Sequence, residues 1–554
     1  MSHPHTADDL PIVCPRNKLE VELCEIWSEV LGRPVHDVSA TFTDMGANSI
    51  LAALAAARIH LRLGVRIGLT TIFRCQTVQA LAGCIEGTRM TAADVEDIAL
   101  DPIPDRDRLP MSFSQEWRFR ADENRSDPLY TITLSYELHG RLRLEALRDA
   151  ISELARRHEP LRTNYDINSS GPVQIIHPPS AVELPVLDFR GPAEGGGRAD
   201  ALRLLKKTAA EPLDRRNGAM FQPVLARFAD DGCLLMLRLD HIAVDGTSCK
   251  ILEQELSMLY ERFSAGGDVP DPPVLQQADW ASWQRQLMQT PRMARAADYW
   301  ERKLDGTRPL LELGLPGGFP PPGTPPFRGR SAYRQLSLEL SGELRRRARE
   351  ADVTLFMYVL AALKMFIARL TAQDTASILC PFVNRTRPEL EHMVGFISHS
   401  LIYRTDLSGD PSFSELVTRV REVCLEAWEH QELPLSEVAR RVRPASYLTL
   451  YDEFHVFCDL IRDQPALRIA DIDIVPAGIG TGSAHPSLAL LIEDVTERLG
   501  LIMRADAGRF DDSAIQWCMR EFSGLLAAAA RDPEKPISSL PPSPESVRRR
   551  FGHY

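Results

Sequence analysis

The stretch Leu237-Arg238-Leu239-Asp240-His241-Ile242-Ala243-Val244-Asp245-Gly246-Thr247-Ser248 constrains this chain more than any other. Residues 233–239 ahead of the His are almost wholly apolar, the pattern of a buried strand. Polar groups then arrive together, a glycine permits a tight bend, and Ile251, Leu252, Leu256, Leu259 and Tyr260 mark an amphipathic helix. A strand running into a turn that carries His and Asp plants reactive groups on a rigid support. Alone, such a His-x-x-x-Asp-Gly string is more often a hydrogen-bonded structural element than a catalytic one. The rest of the chain has to decide.

At 554 residues the chain has room for two or more cores. Its net charge of −12 argues against nucleic-acid binding, and the short basic cluster Arg548-Arg549-Arg550 reads as a solvated tail. No apolar run approaches the ~20 residues that span a bilayer, and the N-terminus has no hydrophobic signal region. The expectation is a cytoplasmic chain that meets no membrane. Ten cysteines without a C-x-x-C pair suggest neither a disulfide framework nor a metal site.

Residues 1–14 read as a flexible tail. Leu19, Leu23, Ile26, Trp27, Val30 and Leu31 then share one helix face, stopped by Gly32 and Pro34. A second helical pattern starts at Ile50 and a third near Val78, so residues 15–88 form a small bundle. Ser49 sits where the second helix begins. It can be an N-cap, or it can anchor a phosphate ester, since a helix N-terminus offers free N–H groups and a positive dipole end. Residues 89–107 are acidic, contain Pro102 and Pro104, and read as a linker that leaves the bundle free to swing.

The remainder, 108–541, alternates strands and helices. Strands are expected at 129–139, 161–165, 173–177, 221–228, 233–239, 453–460, 488–493 and 499–504. Helices are expected at 144–157 and 510–530. A Pro- and Gly-rich break at 315–326 separates two halves. Residues 542–554 read as a tail.

Asp44-Met45-Gly46-Ala47-Asn48-Ser49 resembles the D-x-G-x-x-S signature of peptidyl-carrier proteins, with Phe42 ahead of it and Phe73 and Thr77 behind. Further on, six segments in order resemble the condensation domain of nonribosomal peptide synthetases. They are Met111-Ser112-Phe113-Ser114-Gln115-Glu116-Trp117, Arg157-His158-Glu159-Pro160-Leu161-Arg162-Thr163, Ala278-Asp279-Trp280-Ala281-Ser282-Trp283-Gln284, Pro381-Phe382-Val383-Asn384-Arg385-Thr386-Arg387, Val394-Gly395-Phe396-Ile397-Ser398-His399-Ser400-Leu401 and His430-Gln431-Glu432-Leu433-Pro434. The chain therefore resembles a carrier–condensation didomain. The resemblance implies an α+β multidomain fold: a four-helix carrier bundle, then two chloramphenicol-acetyltransferase-like lobes in a V. The lobes are expected at about 108–275 and 276–541, with the site in the cleft between them.

The same resemblance implies 4′-phosphopantetheine covalently on Ser49, with Asp44 and Gly46 at the attachment loop, and acyl transfer from that arm to an amine. His241, Asp245 and Gly246 are the expected catalytic set. His241 is to accept a proton or position the amine, and Gly246 is to turn the backbone and offer an N–H to the oxyanion. Asp245 is expected to face away from substrate and pair with Arg162 or Arg385. Asp240, Arg162 and Arg385 are the expected structural support of the loop, and Trp283 is expected as packing at the lobe junction. The implied partners are a phosphopantetheinyl transferase, an adenylation or other loading enzyme acting in trans, and a downstream carrier or free amine. A monomer is expected, and if the chain is complete the free amine would make it a chain-releasing amide synthase.

Two departures stand out. Asp240 occupies the first position of the family's H-H-x-x-x-D-G motif, and three readings stay open. Activity is retained, or Asp240, Asp245 and Ser248 spell the D-x-x-x-x-D-x-x-S signature of heterocyclization domains, or the domain is an inactive recruitment platform. Ala484-His485-Pro486-Ser487-Leu488 stands where the family often has K-F-D-L, which implies an altered cleft.

Overall fold

The computed structural model describes residues 12–46, 49–65, 67–87, 98–107, 109–122, 130–169, 171–191, 197–306, 329–442, 444, 456–462, 467–481, 488–508 and 510–541, with the backbone alone for Ser49 and Ile50. The tails at 1–11 and 542–554, the first part of the linker, the break at 315–326 and residues 484–487 lie outside these.

Four helices make the N-terminal bundle: α1 (Lys18–Leu31), α2 (Ser49–Leu63), α3 (Leu69–Cys75) and α4 (Val78–Gly87). The Asn17 side chain caps α1 by accepting the Glu20 N–H at 2.8 Å, and Gly32 ends it in the left-handed region at φ 66°. The face read from the sequence is the buried one, with Leu23, Ile26 and Trp27 fully enclosed and Trp27 against Phe42 at 4.6 Å between ring centroids.

The first lobe runs β1 (Leu109–Pro110), α5 (Phe113–Asp122), β2 (Thr131–His139), α6 (Leu144–Arg157), β3 (Thr163–Asn168), β4 (Gly171–Ile176), β5 (Val186–Asp188), α7 (Gly197–Ala209), β6 (Phe221–Arg227), β7 (Gly232–Asp240) and α8 (Gly246–Ala265). The second runs α9 (Gln277–Leu287), α10 (Pro291–Leu304), β8 (Gly329–Gln335), α11 (Leu338–Glu350), α12 (Leu355–Thr371), β9 (Thr375–Phe382), β10 (His399–Asp406), α13 (Phe413–Glu429), α14 (Leu435–Val442), β11 (Val456–Ile461), β12 (Asp473–Pro476), β13 (Leu488–Glu493), β14 (Gly500–Asp506) and α15 (Asp512–Arg531).

β7 lies between β2 and β6, antiparallel to both, and every one of its residues is buried. That is why its sequence is one apolar run without alternation. The second lobe is a six-stranded sheet in the order β10-β9-β11-β13-β14-β8, with α12 among its most buried elements. Among the described residues no single helix is long and apolar enough to cross a membrane.

Three expectations need correction. The chain does not divide into lobes at a single point: β12, far into the second half, pairs antiparallel with β2 and forms the edge of the first lobe's sheet. Residues 159–162 form a 3-10 turn, not the start of a strand, because Pro160 holds a turn-compatible φ and lacks an N–H to give a ladder. The linker is not loose throughout. Leu100 is buried with Trp280, Leu390, Met393 and Ile397. The Ile103 N–H donates to Asp279 at 2.9 Å, and Arg106 pairs with both Asp279 and Glu159. Residues 98–107 are thus strapped across both lobes.

Candidate active site

β7 ends at Asp240, and the tight turn that follows delivers His241 to the junction between the lobes. The His241 backbone N–H donates to the Tyr130 carbonyl at 2.9 Å, fixing where the strand stops. Its ring packs against Phe396 of the second lobe, with centroids 4.8 Å apart. Nδ1 lies 2.8 Å from the Val244 carbonyl. A carbonyl only accepts, so Nδ1 carries the proton and Nε2 keeps the lone pair. Burial pushes the imidazole below its ordinary value, and the nearby Arg118 guanidinium pushes the same way, against the weaker pull of Asp245 and Asp240. His241 is therefore neutral at neutral pH.

Asp245 is fully buried and caps α8 through Ser248 N–H at 2.9 Å. It also takes Ser248 Oγ at 2.8 Å, the Ile397 and Ser398 N–H groups at 3.2 and 2.9 Å, and both Nη atoms of Arg385 at 2.9 and 3.0 Å. Burial alone would raise this carboxyl, but Arg385 and the amide donors outweigh it and hold it below the usual carboxylate range. With six donors on two oxygens, Asp245 is not a catalytic group in this structure. It is the clasp that ties α8 to the second lobe. Arg385 completes the clasp by donating to Ser248 Oγ and the Met393 carbonyl, both at 3.1 Å.

Arg162 is the member of the expected set that the structure does not bring here. Its Nε donates to the Ala155 carbonyl at 3.1 Å and its Nη1 to the His177 carbonyl, so it braces the end of α6 against the end of β4. Asp240 also turns away from the cleft: Oδ2 accepts from Arg215 Nε at 2.8 Å and Oδ1 from the Ile242 N–H at 2.9 Å. Asp240→His would set an imidazole against Arg215, so we expect lower thermal stability and no gain in turnover. A gain would show that the ion pair is dispensable.

Gly246 is exposed at the first position of α8. Its φ is not positive and an added Cβ would meet nothing within 4 Å, so the bend does not require glycine there. Trp283 packs at the lobe junction, where its Nε1 donates to the Ile98 carbonyl at 2.7 Å and Arg387 lies over its ring.

Two residues escape a reading of the sequence alone. The Gly395 N–H donates to Ser248 Oγ at 2.9 Å, and a Cβ there would fall 1.7 Å from Gln277 Oε1. Gly395→Ala is expected to cost about 1–3 kcal/mol as overpacking, seen as a lower unfolding midpoint together with slowed turnover. His399 is buried with no hydrogen-bond partner for Nε2 among the described residues, and burial pushes it down to about 4. Both positions lie in the 394–401 segment, but nothing local marks which of its side chains face inward.

In the bundle, Ser49 is the first residue of α2, and Gly46 holds the preceding loop at φ 81°, a conformation that favours glycine. Asp44 is exposed, and Ala47 and Asn48 lie outside the described residues. A hydroxyl at a helix start behind a glycine turn fits a phosphodiester, for which the first-turn N–H groups are natural partners. The bundle rests on the second lobe. Phe73 packs on Trp428 at 5.0 Å, Arg421 donates to the Phe73 carbonyl at 3.3 Å, and Arg58 and Arg74 pair with Glu391 and Glu429. Arg462 donates to the Gly46 carbonyl at 3.2 Å, three residues before Ser49.

Residues 105–548 match the family model described as Condensation domain, and residues 21–85 match that described as Phosphopantetheine attachment site. The chain is 31% identical over 546 residues to one of the linear gramicidin synthase proteins of Brevibacillus parabrevis, covering 97% of this chain and 7% of that protein. It is 28% identical over 530 residues to malpinin synthetase of Mortierella alpina, covering 95% and 7%. The chain thus spans a small fraction of the relatives it matches. Among solved structures it is similar to the X-domain from teicoplanin biosynthesis, with a TM-score of 0.73 and 23% identity over 80% of this chain and 99% of that one. It is also similar to the first condensation domain of the calcium-dependent antibiotic synthetase, with a TM-score of 0.65 and 18% identity over 78% and 98%. Both likenesses speak to fold.

Proposed function

Since the chain belongs to the condensation-domain family and carries a phosphopantetheine attachment domain ahead of it, we propose that it is a nonribosomal peptide synthetase component that moves an acyl group from its own carrier to an amine. The carrier takes a covalently attached 4′-phosphopantetheine, a flexible thiol arm that presents the acyl group as a thioester. Ser49 is its proposed attachment point, with Asp44 and Gly46 shaping the loop.

The observation that carries this reading is the state of His241. Its Nδ1 is held by the Val244 carbonyl, which leaves the lone pair on Nε2, its ring stands at the lobe junction against Phe396, and burial with the Arg118 charge keeps its proton affinity below the ordinary histidine value. We assign Nε2 to hold the incoming amine and take its proton as the C–N bond forms, and to pass that proton to the sulfur of the arm as the C–S bond breaks and the thiol leaves. Gly246 is the proposed oxyanion donor, since the first N–H groups of α8 have no partner within the helix. Asp245, Arg385 and Ser248 keep the turn in place and touch no reactant. The sequestered Asp240 and Asp245 favour condensation over heterocyclization, because neither carboxylate has a free edge to offer a cyclising side chain. A phosphopantetheinyl transferase, a loading enzyme and a carrier-bound or free amine complete the scheme.

To test this, an acyl-pantetheine is installed with a promiscuous phosphopantetheinyl transferase, amines and carrier-bound amino acids are added, and the products are weighed. The expected outcome is loading of wild type, none of Ser49→Ala, and release of an amide. A product lighter by one further water would indicate heterocyclization. Loading without discharge against every amine would indicate a platform.

A further inference from the structure

Arg118 on α5 is 7% exposed and stands beside His241. Its guanidinium lies 3.2 Å from the centroid of the Tyr130 ring, 5.4 Å from Trp117 and 5.9 Å from Phe396. Tyr130 gives its carbonyl to the His241 N–H and Phe396 packs on the His241 ring, so the guanidinium and the imidazole share two neighbours. Arg118 Nε and Nη1 are buried and have no hydrogen-bond partner among the described residues. The carboxylates of this region are engaged elsewhere: Asp245 by Arg385, Asp240 by Arg215, and Glu116 by Arg120 and Arg285.

A guanidinium stays charged at any working pH. Burying it with open N–H groups is costly unless something completes it. Aromatic faces attract the cation but offer no lone pair to its N–H groups. A neutral carbonyl would satisfy an N–H and leave the charge. A carboxylate does both. The phosphate of the arm is tied to the carrier, which rests on the second lobe, so it is the reacting end and the amine that come to His241.

We infer that Arg118 is a receptor for a carboxylate carried by one of the two reactants, held against the Tyr130–Phe396 wall beside His241. The carboxylate belongs either to the acceptor, as in a free amino acid, or to the far end of the donor acyl chain. The inference deepens the acyl-transfer reading and rests on it for the identity of the reactants, but binding can be measured without turnover.

The probe is 3-phenylpropionate, titrated calorimetrically into the whole chain alongside its primary amide. We expect the carboxylate to bind at least tenfold more tightly than the amide, a preference lost in Arg118→Met and partly restored in Arg118→Lys. Two further arms separate the sources. Displacement of the probe by free phenylalanine, but not by loading Ser49 with glutaryl-pantetheine, assigns the carboxylate to the acceptor. Displacement by glutaryl loading, but not by valeryl loading, assigns it to the donor. Equal binding of acid and amide to wild type, or a preference unchanged in a natively folded Arg118→Met, overturns the inference. Arg118-dependent binding with no amide from any acceptor would sustain this receptor while refuting the proposed reaction.

Discussion

Arg385→Ala is expected to lower the stability of the two-lobed domain by about 3–5 kcal/mol, because it leaves Asp245 as a buried charge without its partner. The pair is nearly solvent-free on both sides, 4% and 1% exposed at the side chains. A bidentate guanidinium fits two carboxylate oxygens in a way that an ammonium does not, so Arg385→Lys should recover only part of the loss. Asp245→Ala should cost a similar amount by stranding Arg385. The double variant should cost less than the sum, since the two residues form one network with Ser248. Urea unfolding of wild type and the four variants checks this. A loss below about 1 kcal/mol for each single variant, the range of a surface pair, would show that the clasp does not hold the lobes. Turnover should fall with the clasp, since the 394–398 segment that it anchors supplies Phe396, the ring against which His241 packs.

His241→Ala is expected to slow discharge of the acyl arm by about 10²–10⁴-fold, the usual contribution of a positioned general base. The pH dependence gives the sign. The working form is the neutral imidazole, whose proton affinity is held below the ordinary histidine value of 6.5 by burial and by Arg118. Activity should be full at neutral pH and fall only as acid reaches that depressed value. The charged groups that face the ring are Arg118, Asp245 and Asp240, and Asp245 and Asp240 pull in the other direction. In Arg118→Met the acid limb should therefore move up toward 6.5. A limb that stays put would separate Arg118 from the histidine's electrostatics.

Much of this is legible in the sequence for a physical reason: β7, α6 and the carrier helices are buried by one rule each, a solid apolar run or a 3.6-residue period. The strand–turn–helix that holds His241 and Asp245 can be read directly. Partnerships across the chain cannot. Arg162 and Arg385 sit in equally suggestive segments, and only the fold brings one of them to Asp245 while the other serves two carbonyls near its own helix. β12 carries no local sign that its neighbour is β2, since pairing is a property of two segments. The linker's composition is that of a free segment, yet Leu100 and Arg106 find pockets on both lobes. Arg118 directly follows the opening motif, which ends at Trp117. A cation between Trp117 and Phe119 on a helix otherwise set to be buried is the available signal.

The most direct test of the account is a single-turnover measurement: acyl-loaded protein mixed with its amine, the loss of acyl from the carrier followed by intact mass, for wild type and His241→Ala. Rapid discharge to an amide is expected in wild type, with a fall of at least about a hundredfold in the variant while loading stays intact. Equal discharge rates in the two proteins would contradict it.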